Sequence, residues 1–159
     1  MVETIEKQKR TDILLVEDNS EDIELALLAF KHGNLSHRIH IARDGEEALE
    51  FLFCRGNFQN RSFEMAPRLV LLDLKLPKVH GLEVLRELKK DSRTRAIPVV
   101  VMTSSREQCD LVEAYRLGLN SYIQKPVEFT RFREMIGKLG VYWLELNQPP
   151  PRDAFLANR

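Results

Sequence analysis

Cysteine is nearly absent from this chain. Only Cys54 and Cys109 occur in 159 residues, too few and too far apart for a disulfide framework or a zinc site, so both read as thiols of a reducing compartment. There is no excess of either charge. Lys plus Arg and Asp plus Glu each number 24, which leaves no basic field to draw the chain to nucleic acid. No long apolar run and no secretory leader appears, and Met1 to Lys9 is polar, so nothing marks a membrane protein. There is no internal repeat and no low-complexity tract. What remains is a 43% hydrophobic, 30% charged chain of one domain's length with enough apolar content for a core.

The stretch Arg68-Leu-Val-Leu-Leu-Asp-Leu-Lys-Leu-Pro-Lys-Val-His-Gly81 organises the rest. Leu69 to Leu72 is wholly apolar, as a strand buried on both faces of a parallel sheet would be. It empties into Asp73, after which Pro77 and Gly81 break the backbone. A carboxylate at the C-terminal mouth of a central strand sits where open α/β sheets bind ligands. Alone, Asp73 reads more readily as a loop residue capping the next helix, and what the other strand ends carry decides between the two.

The other segments fall into step around it. Asp12 to Val16 is a strand that ends on Glu17-Asp18-Asn19. From Ser20, Ile23, Ala26, Leu27 and Phe30 form a helical stripe that Gly33 would stop. Arg38 to Ala42 is a less buried strand, and Asp44-Gly-Glu-Glu47 resembles a capping box for a helix through Leu52. Arg55 to Pro67 is irregular and reads as a long loop. Leu82, Leu85 and Leu88 mark a third helix, and Ile97 to Met102 a fourth strand followed by Thr103. Ser104-Ser-Arg-Glu107 then looks like a capping box for a helix ending at Gly118. Ser121 to Gln124 is a fifth strand, and it leads to Lys125-Pro126. The last helix runs from about Val127 beyond Trp143, with Phe129, Phe132, Ile136, Leu139 and Trp143 on one line and Met135, Tyr142 and Leu146 on a second. The second line is either a broad core stripe or a partner-facing surface. Pro149-Pro-Pro151 closes regular structure.

Five strands alternating with five helices predict an α/β fold: a doubly wound, five-stranded parallel sheet of order 2-1-3-4-5. The expected layout is a disordered N-terminus over 1–10, one domain over 11–146 and a tail over 147–159.

Parallel strands deliver their C-terminal residues to one edge, so Glu17, Asp18, Asp73, Thr103 and Lys125 can converge. Two unit charges about 4 Å apart cost roughly 4 kcal/mol at an effective dielectric near 20, so three carboxylates call for positive charge among them. Lys125 is one source and a hard divalent cation, Mg²⁺ or Mn²⁺, another. The set suits an aspartate that accepts a phosphoryl group, a transfer that needs positioning and charge neutralisation more than a general base. Asp73 would attack, and the metal would be held by Asp18, Asp73 and the backbone carbonyl of Lys75. Thr103 and Lys125 would take phosphoryl oxygens. No histidine lies at these strand ends. His37 and His40 face opposite sides of a strand and cannot share a metal, and His32 and His80 read as surface residues. Lys75 either shapes access to the phosphoryl group or points to solvent.

Together Glu17-Asp18, Asp73-x-x-x-Pro77-x-x-x-Gly81, Thr103 and Lys125-Pro126 resemble the receiver domain of bacterial two-component response regulators over about Thr11 to Trp143. The resemblance implies Asp73 as phosphoacceptor for a sensor histidine kinase, and Glu17, Asp18 and Asp73 as the metal site. It also implies a cis Lys125–Pro126 bond and a switch in which Thr103 moves and Tyr122 turns inward. The loop Arg55 to Pro67, the run Asp73 to Leu85 and the ending Tyr142 to Asn147 are similar to single-domain regulators paired with bacterial phytochrome kinases. That pairing implies a cytoplasmic phosphoprotein with no chromophore of its own, at most slow self-phosphorylation and self-dephosphorylation, and no output domain. Signalling would then run through partners or a homodimer built on Phe129, Phe132, Tyr142, Trp143 and Phe155. Two competing readings stand beside it. A constitutive adaptor would not need a crowded carboxylate cluster. A flavin-binding protein would need a phosphate-cradling loop after the first strand, where Glu17-Asp18 would instead repel the phosphate.

Overall fold

The structure, a computed structural model, describes residues 11–32 and 38–156. The expectations placed on residues 1–10, Gly33, His37 and the chain's last three residues lie outside them, as does the side chain of His32. Ten regular elements alternate: β1 (Ile13–Val16), α1 (Ser20–His32), β2 (Ile39–Ala42), α2 (Gly45–Leu52), β3 (Leu69–Leu72), α3 (Gly81–Lys90), β4 (Val99–Thr103), α4 (Gln108–Arg116), β5 (Ser121–Gln124) and α5 (Phe129–Val141). All strand pairs are parallel, in the order β2-β1-β3-β4-β5, as the alternation of elements predicts. Ile13 stands level with both Ile39 and Leu69.

The two-residue period of a strand sorts the apolar residues to two faces. Leu14, Val16, Val70, Leu72, Val99 and Val101 point toward α2, α3 and α4, where they meet Phe51, Leu85 and Leu88. Ile13, Leu15, Leu69, Leu71, Val100 and Met102 point toward α1 and α5, against Phe30, Phe132 and Ile136. Because β1, β3 and β4 are covered on both faces, every residue in them is buried, and their sequences carry no polar alternation. The edge strand β2 is only half-buried.

Helix starts depend on local chemistry. At α2 the Glu47 N–H donates to Asp44 Oδ1 at 2.7 Å, and Glu47 reaches back to the Arg43 N–H at 3.1 Å, close to the predicted capping box. At α3 the cap is His80, whose Nδ1 accepts the Leu82 N–H at 3.1 Å, so this histidine has a structural task that its isolation in sequence hides. At α4 the predicted box does not form. The helix begins at Gln108, with Glu107 before it and no side-chain cap. Ser105 instead stays with the strand end: its N–H donates to Thr103 Oγ1 (3.2 Å) and its hydroxyl to Asp110 (2.7 Å).

The expected long loop holds two short 3₁₀ turns, Gly56–Phe58 and Phe63–Met65. Arg61 secures it with hydrogen bonds to the carbonyls of Phe51 and of Met65 (3.0 Å), its guanidinium 3.5 Å from the Phe51 ring centre. After α5 the chain continues as a π-helical segment, Tyr142–Leu146, whose Leu144 carbonyl accepts from Arg68 at 2.5 Å. Beyond the prolines, Arg152–Phe155 turns back as a 3₁₀ helix, and Phe155, 1% exposed, enters the α2/α3 side of the core.

This corrects the expected partner surface. Phe155 and Phe132 (3% exposed) lie inside the chain's own core because burying an aromatic ring is worth more than leaving it on a tail or a helix flank. Phe129 and Tyr142 remain about half-exposed, and Trp143 is partly buried against the α1/α5 core. The Lys125–Pro126 bond is a second correction: no peptide bond among the described residues is cis. The trans form is the intrinsically favoured one before proline, and Lys125 is aimed by other means.

Candidate functional site

Glu17, Asp73 and Lys125 each stand one position past a strand, Thr103 is the last residue of β4, and the sheet ladder runs one rung further to hold the first three. Glu17 N–H donates to the Ala42 carbonyl (3.0 Å), Asp73 N–H to that of Val16 (3.0 Å) and Lys125 N–H to that of Thr103 (2.8 Å). The apolar strands therefore act as rails that end in charge. Glu17, Asp73 and Thr103 are 2%, 7% and 0% exposed, while Asp18 faces solvent.

Lys125 Nζ is the hub. It donates to Asp73 Oδ2 and Asp22 Oδ2, both at 2.9 Å, and to Glu17 Oε1. Three donors meet three carboxylates, which satisfies the ammonium with no vacancy. Asp22, in the first turn of α1, is the member that sequence reasoning missed, since an acid at that position reads as an ordinary helix-start residue. Its i+4 placement from Asp18 is the only sequence signal it offers. Lys75 lies exposed on the loop, its N–H 3.4 Å from Asp73 Oδ1. Tyr122 packs at the rim of the α3/α4 core with its hydroxyl buried and lacking a hydrogen-bond partner.

The titrations follow from this crowding. Burial pushes Glu17 up to about 8, against the pull of Lys125 and with the Asp73 charge adding to the rise. For Asp73 burial also acts upward, but Lys125, Glu17 and Thr103 outweigh it and hold the carboxyl below its ordinary value. For Lys125 burial acts downward and is overcome by hydrogen bonds to Asp22 and Glu17 and by the Asp73 charge, so it is raised and stays charged. The site thus holds an ionised Asp73 beside a protonated Lys125, with a proton on Glu17 at neutral pH.

Oxygens of Glu17, Asp18 and Asp73 lie within 4.8 Å of one another. An all-oxygen set with net negative charge fits a hard divalent cation. Among the described residues the other grouping of this kind, Glu107, Cys109 and Asp110, stands on the surface at the start of α4, and Asp110 is already committed to Ser105. Gly81 closes the site from behind: a Cβ there would stand 2.3 Å from the Asp73 carbonyl oxygen.

The family pattern of the response regulator receiver domain matches residues 13–137. The chain belongs to that family. This receiver domain is 43% identical over 138 residues to the probable methanogenesis regulatory protein FilR2 of Methanothrix harundinacea, a match spanning 87% of this chain and 86% of FilR2. It is 38% identical to response regulator Rcp1 of Synechocystis over 84% of this chain and 88% of Rcp1. The crystal structure of the Mn²⁺-bound form of Rcp1 superposes with a TM-score of 0.81, covering 87% of this chain and 97% of that one. The bacteriophytochrome response regulator AtBRR is 51% identical, with a TM-score of 0.66 over 86% of this chain and 96% of AtBRR. The receiver domain is thus a signalling module of two-component systems, and its acidic cluster is of a kind that suits the divalent cation of the Rcp1 crystal structure.

A cation held in part by Glu17 would displace the proton there, which gives a sign to the pH dependence expected of its binding. One proton released per ion makes Mg²⁺ affinity fall about tenfold per unit as pH drops from 8 to 6. An acid raised from 4.5 to about 8 also costs the metal-free fold stability as pH rises through that window. Mg²⁺ is therefore expected to raise the melting temperature more at pH 8 than at pH 6. Equal affinities by calorimetry at the two pH values would show Glu17 already ionised at pH 6.

Proposed function

We propose that this receiver domain takes a phosphoryl group onto Asp73 from a phosphohistidine of a sensor kinase. The observation that carries the reading is the pairing of a buried, ionised Asp73 with Lys125 at 2.9 Å at the mouth of the sheet. Asp73 Oδ attacks the phosphorus, the P–N bond to imidazole breaks, and the imidazole leaves with that electron pair and takes a proton. The carboxylate becomes an acyl phosphate. The nucleophile needs no base because it is already ionised, and the donor set around it does the rest. The Lys125 donor now on Asp73 Oδ2 turns to a phosphoryl oxygen, and the Thr103 hydroxyl takes another. Glu17, Asp18, Asp73 and the Lys75 backbone carbonyl would hold the Mg²⁺ or Mn²⁺, which when bound would neutralise charge on the incoming phosphate.

The kinase is of the phytochrome type in this reading. Support comes from similarity to AtBRR, a bacteriophytochrome response regulator, and to Rcp1. A related structure is of the phosphorylated cyanobacterial phytochrome response regulator RcpA, 38% identical with a TM-score of 0.81. Turnover of the phosphoryl group by the domain itself is slow. Tyr122, with its buried unpaired hydroxyl, and Thr103 are the switch, and they bias α4 and β5 once phosphate oxygens demand partners. Output passes to protein partners or a second copy through α4, β5 and α5, where Phe129 and Tyr142 are exposed. The setting is the cytoplasm. Among the described residues no helix is long and apolar enough to cross a membrane.

Intact mass after incubation with acetyl phosphate is the test. A gain of one phosphoryl group that requires Mg²⁺ and disappears in Asp73→Asn is expected. No gain in folded wild type, with a known receiver domain labelled in parallel, would leave a constitutive adaptor as the function.

A further inference from the structure

Asp22 holds Lys125 but has no place in the chemistry described above, and its geometry is not that of a routine helix-start acid. Asn19 precedes α1, and its Oδ1 accepts the Asp22 N–H at 3.0 Å, half of a capping box. In the complete motif the side chain at the Asp22 position would return to the Asn19 N–H. Here that N–H is directed at Glu17 Oε2 (3.4 Å), and the Asp22 carboxylate reaches instead to Lys125 Nζ at 2.9 Å. A local stabilising contact has been exchanged for one across the fold, between residues 103 positions apart in sequence.

The other two partners of Lys125 are needed elsewhere when the site works. Asp73 becomes an acyl phosphate, and its former donor must follow the phosphoryl oxygen. Glu17 belongs to the cation. Asp22 is outside the metal cluster and is the one carboxylate of the three that neither the phosphoryl group nor the cation would claim. Lys125 sits on a flexible four-carbon stem, so an anchor that stays in place has a task.

We propose that Asp22 is a positioning residue for phosphoryl recognition, a fixed acceptor that holds the Lys125 ammonium at the mouth while its other partners change. This rests on the phosphoacceptor reading of Asp73. Asp22 gives up nothing to the phosphoryl group because the donor needed there is the one Asp73 releases. Its contribution is orientation, paid for by the local cap it forgoes.

Beryllofluoride with Mg²⁺, a mimic of the acyl phosphate, provides the test, read by calorimetry on the full chain. Losing one charge-assisted hydrogen bond on the lysine weakens beryllofluoride binding in Asp22→Ala by about tenfold. Asp22→Asn, whose amide oxygen accepts in the same place, restores most of it. Mn²⁺ affinity without beryllofluoride is unchanged in both variants. Unaltered or tighter binding in Asp22→Ala would overturn the proposal, the second by making Asp22 a competitor for the ammonium. So would failure of Asn to rescue, or a parallel loss of Mn²⁺, which would make Asp22 part of the metal site. Wild type that binds Mn²⁺ but no beryllofluoride would instead overturn the phosphoacceptor reading, and this inference with it.

Discussion

Lys125→Met is expected to destabilise the metal-free protein by about 3 kcal/mol at pH 8, with a much smaller loss at pH 6 and partial recovery in Mg²⁺. The substitution keeps the length and packing of the stem and deletes only the ammonium that three carboxylates share. Removing one partner of a buried ion pair commonly costs about 3–5 kcal/mol because the remaining charge is left desolvated. Two features place this case at the low end: Glu17 already holds a proton up to about pH 8, and Asp22 is 29% exposed in its side chain. The sign with pH follows. Without the lysine the carboxylates titrate still higher in the folded state, so the penalty grows as pH rises and vanishes where all are protonated. A divalent cation supplies the missing positive charge, hence the recovery. Urea unfolding at both pH values, with and without Mg²⁺, measures all of this. A loss equal at pH 6 and 8 and indifferent to Mg²⁺ would mean that packing, and not charge, explains the residue. Phosphoryl uptake in the variant is expected to fall at least about a hundredfold, the scale seen when a preorganised donor to a developing oxyanion is removed.

Gly81→Ala is the second large effect. The added methyl would stand 2.3 Å from the Asp73 carbonyl oxygen and 2.6 Å from Leu74 Cα, and both are backbone atoms that cannot swing aside. The Gly81 N–H also donates to the Leu74 carbonyl at 2.8 Å, so the start of α3 is seated directly on the peptide that carries the acceptor. Either α3 lifts off the sheet or the Asp73–Leu74 peptide turns. The expected cost is about 2–3 kcal/mol. A displacement of Asp73 of the order of 1 Å would lower phosphoryl uptake by about a hundredfold. Gly137→Ala in α5 is the control. A methyl there meets nothing within 4 Å, and in a helix interior it is expected to stabilise by about 0.5–1 kcal/mol. If both substitutions behaved alike, close approach would not be the reason for Gly81.

Much of this was open to reading in the sequence, and the reasons are local. Apolar runs such as Leu69 to Leu72 have one stable use in a chain of this size, a strand covered on both faces, and their regular alternation with helical stripes leaves few topologies. Once the sheet is parallel, every strand end points to one mouth, so Glu17, Asp18, Asp73, Thr103 and Lys125 come together whatever the loops do. The capping chemistry was legible at Asp44, which caps the Glu47 N–H as predicted, with the return bond from Glu47 falling one residue earlier, on Arg43. It misled at Ser104 to Glu107, where tertiary contacts of Ser105 with Thr103 and Asp110 outbid the local motif.

Composition, period and the order of strand ends determined the fold class, the sheet order and the charged set at its edge, because each depends on what a short segment does with its own backbone and faces. Only the tertiary structure decided which neighbours those segments acquired. It brought Asp22 across to Lys125 and His80 to the cap of α3. It set Gly81 against the Asp73 peptide and folded Phe155 from beyond three prolines back into the core. Those contacts join residues distant in the chain, and their free energy comes from close packing and shared charge, which no window of sequence contains.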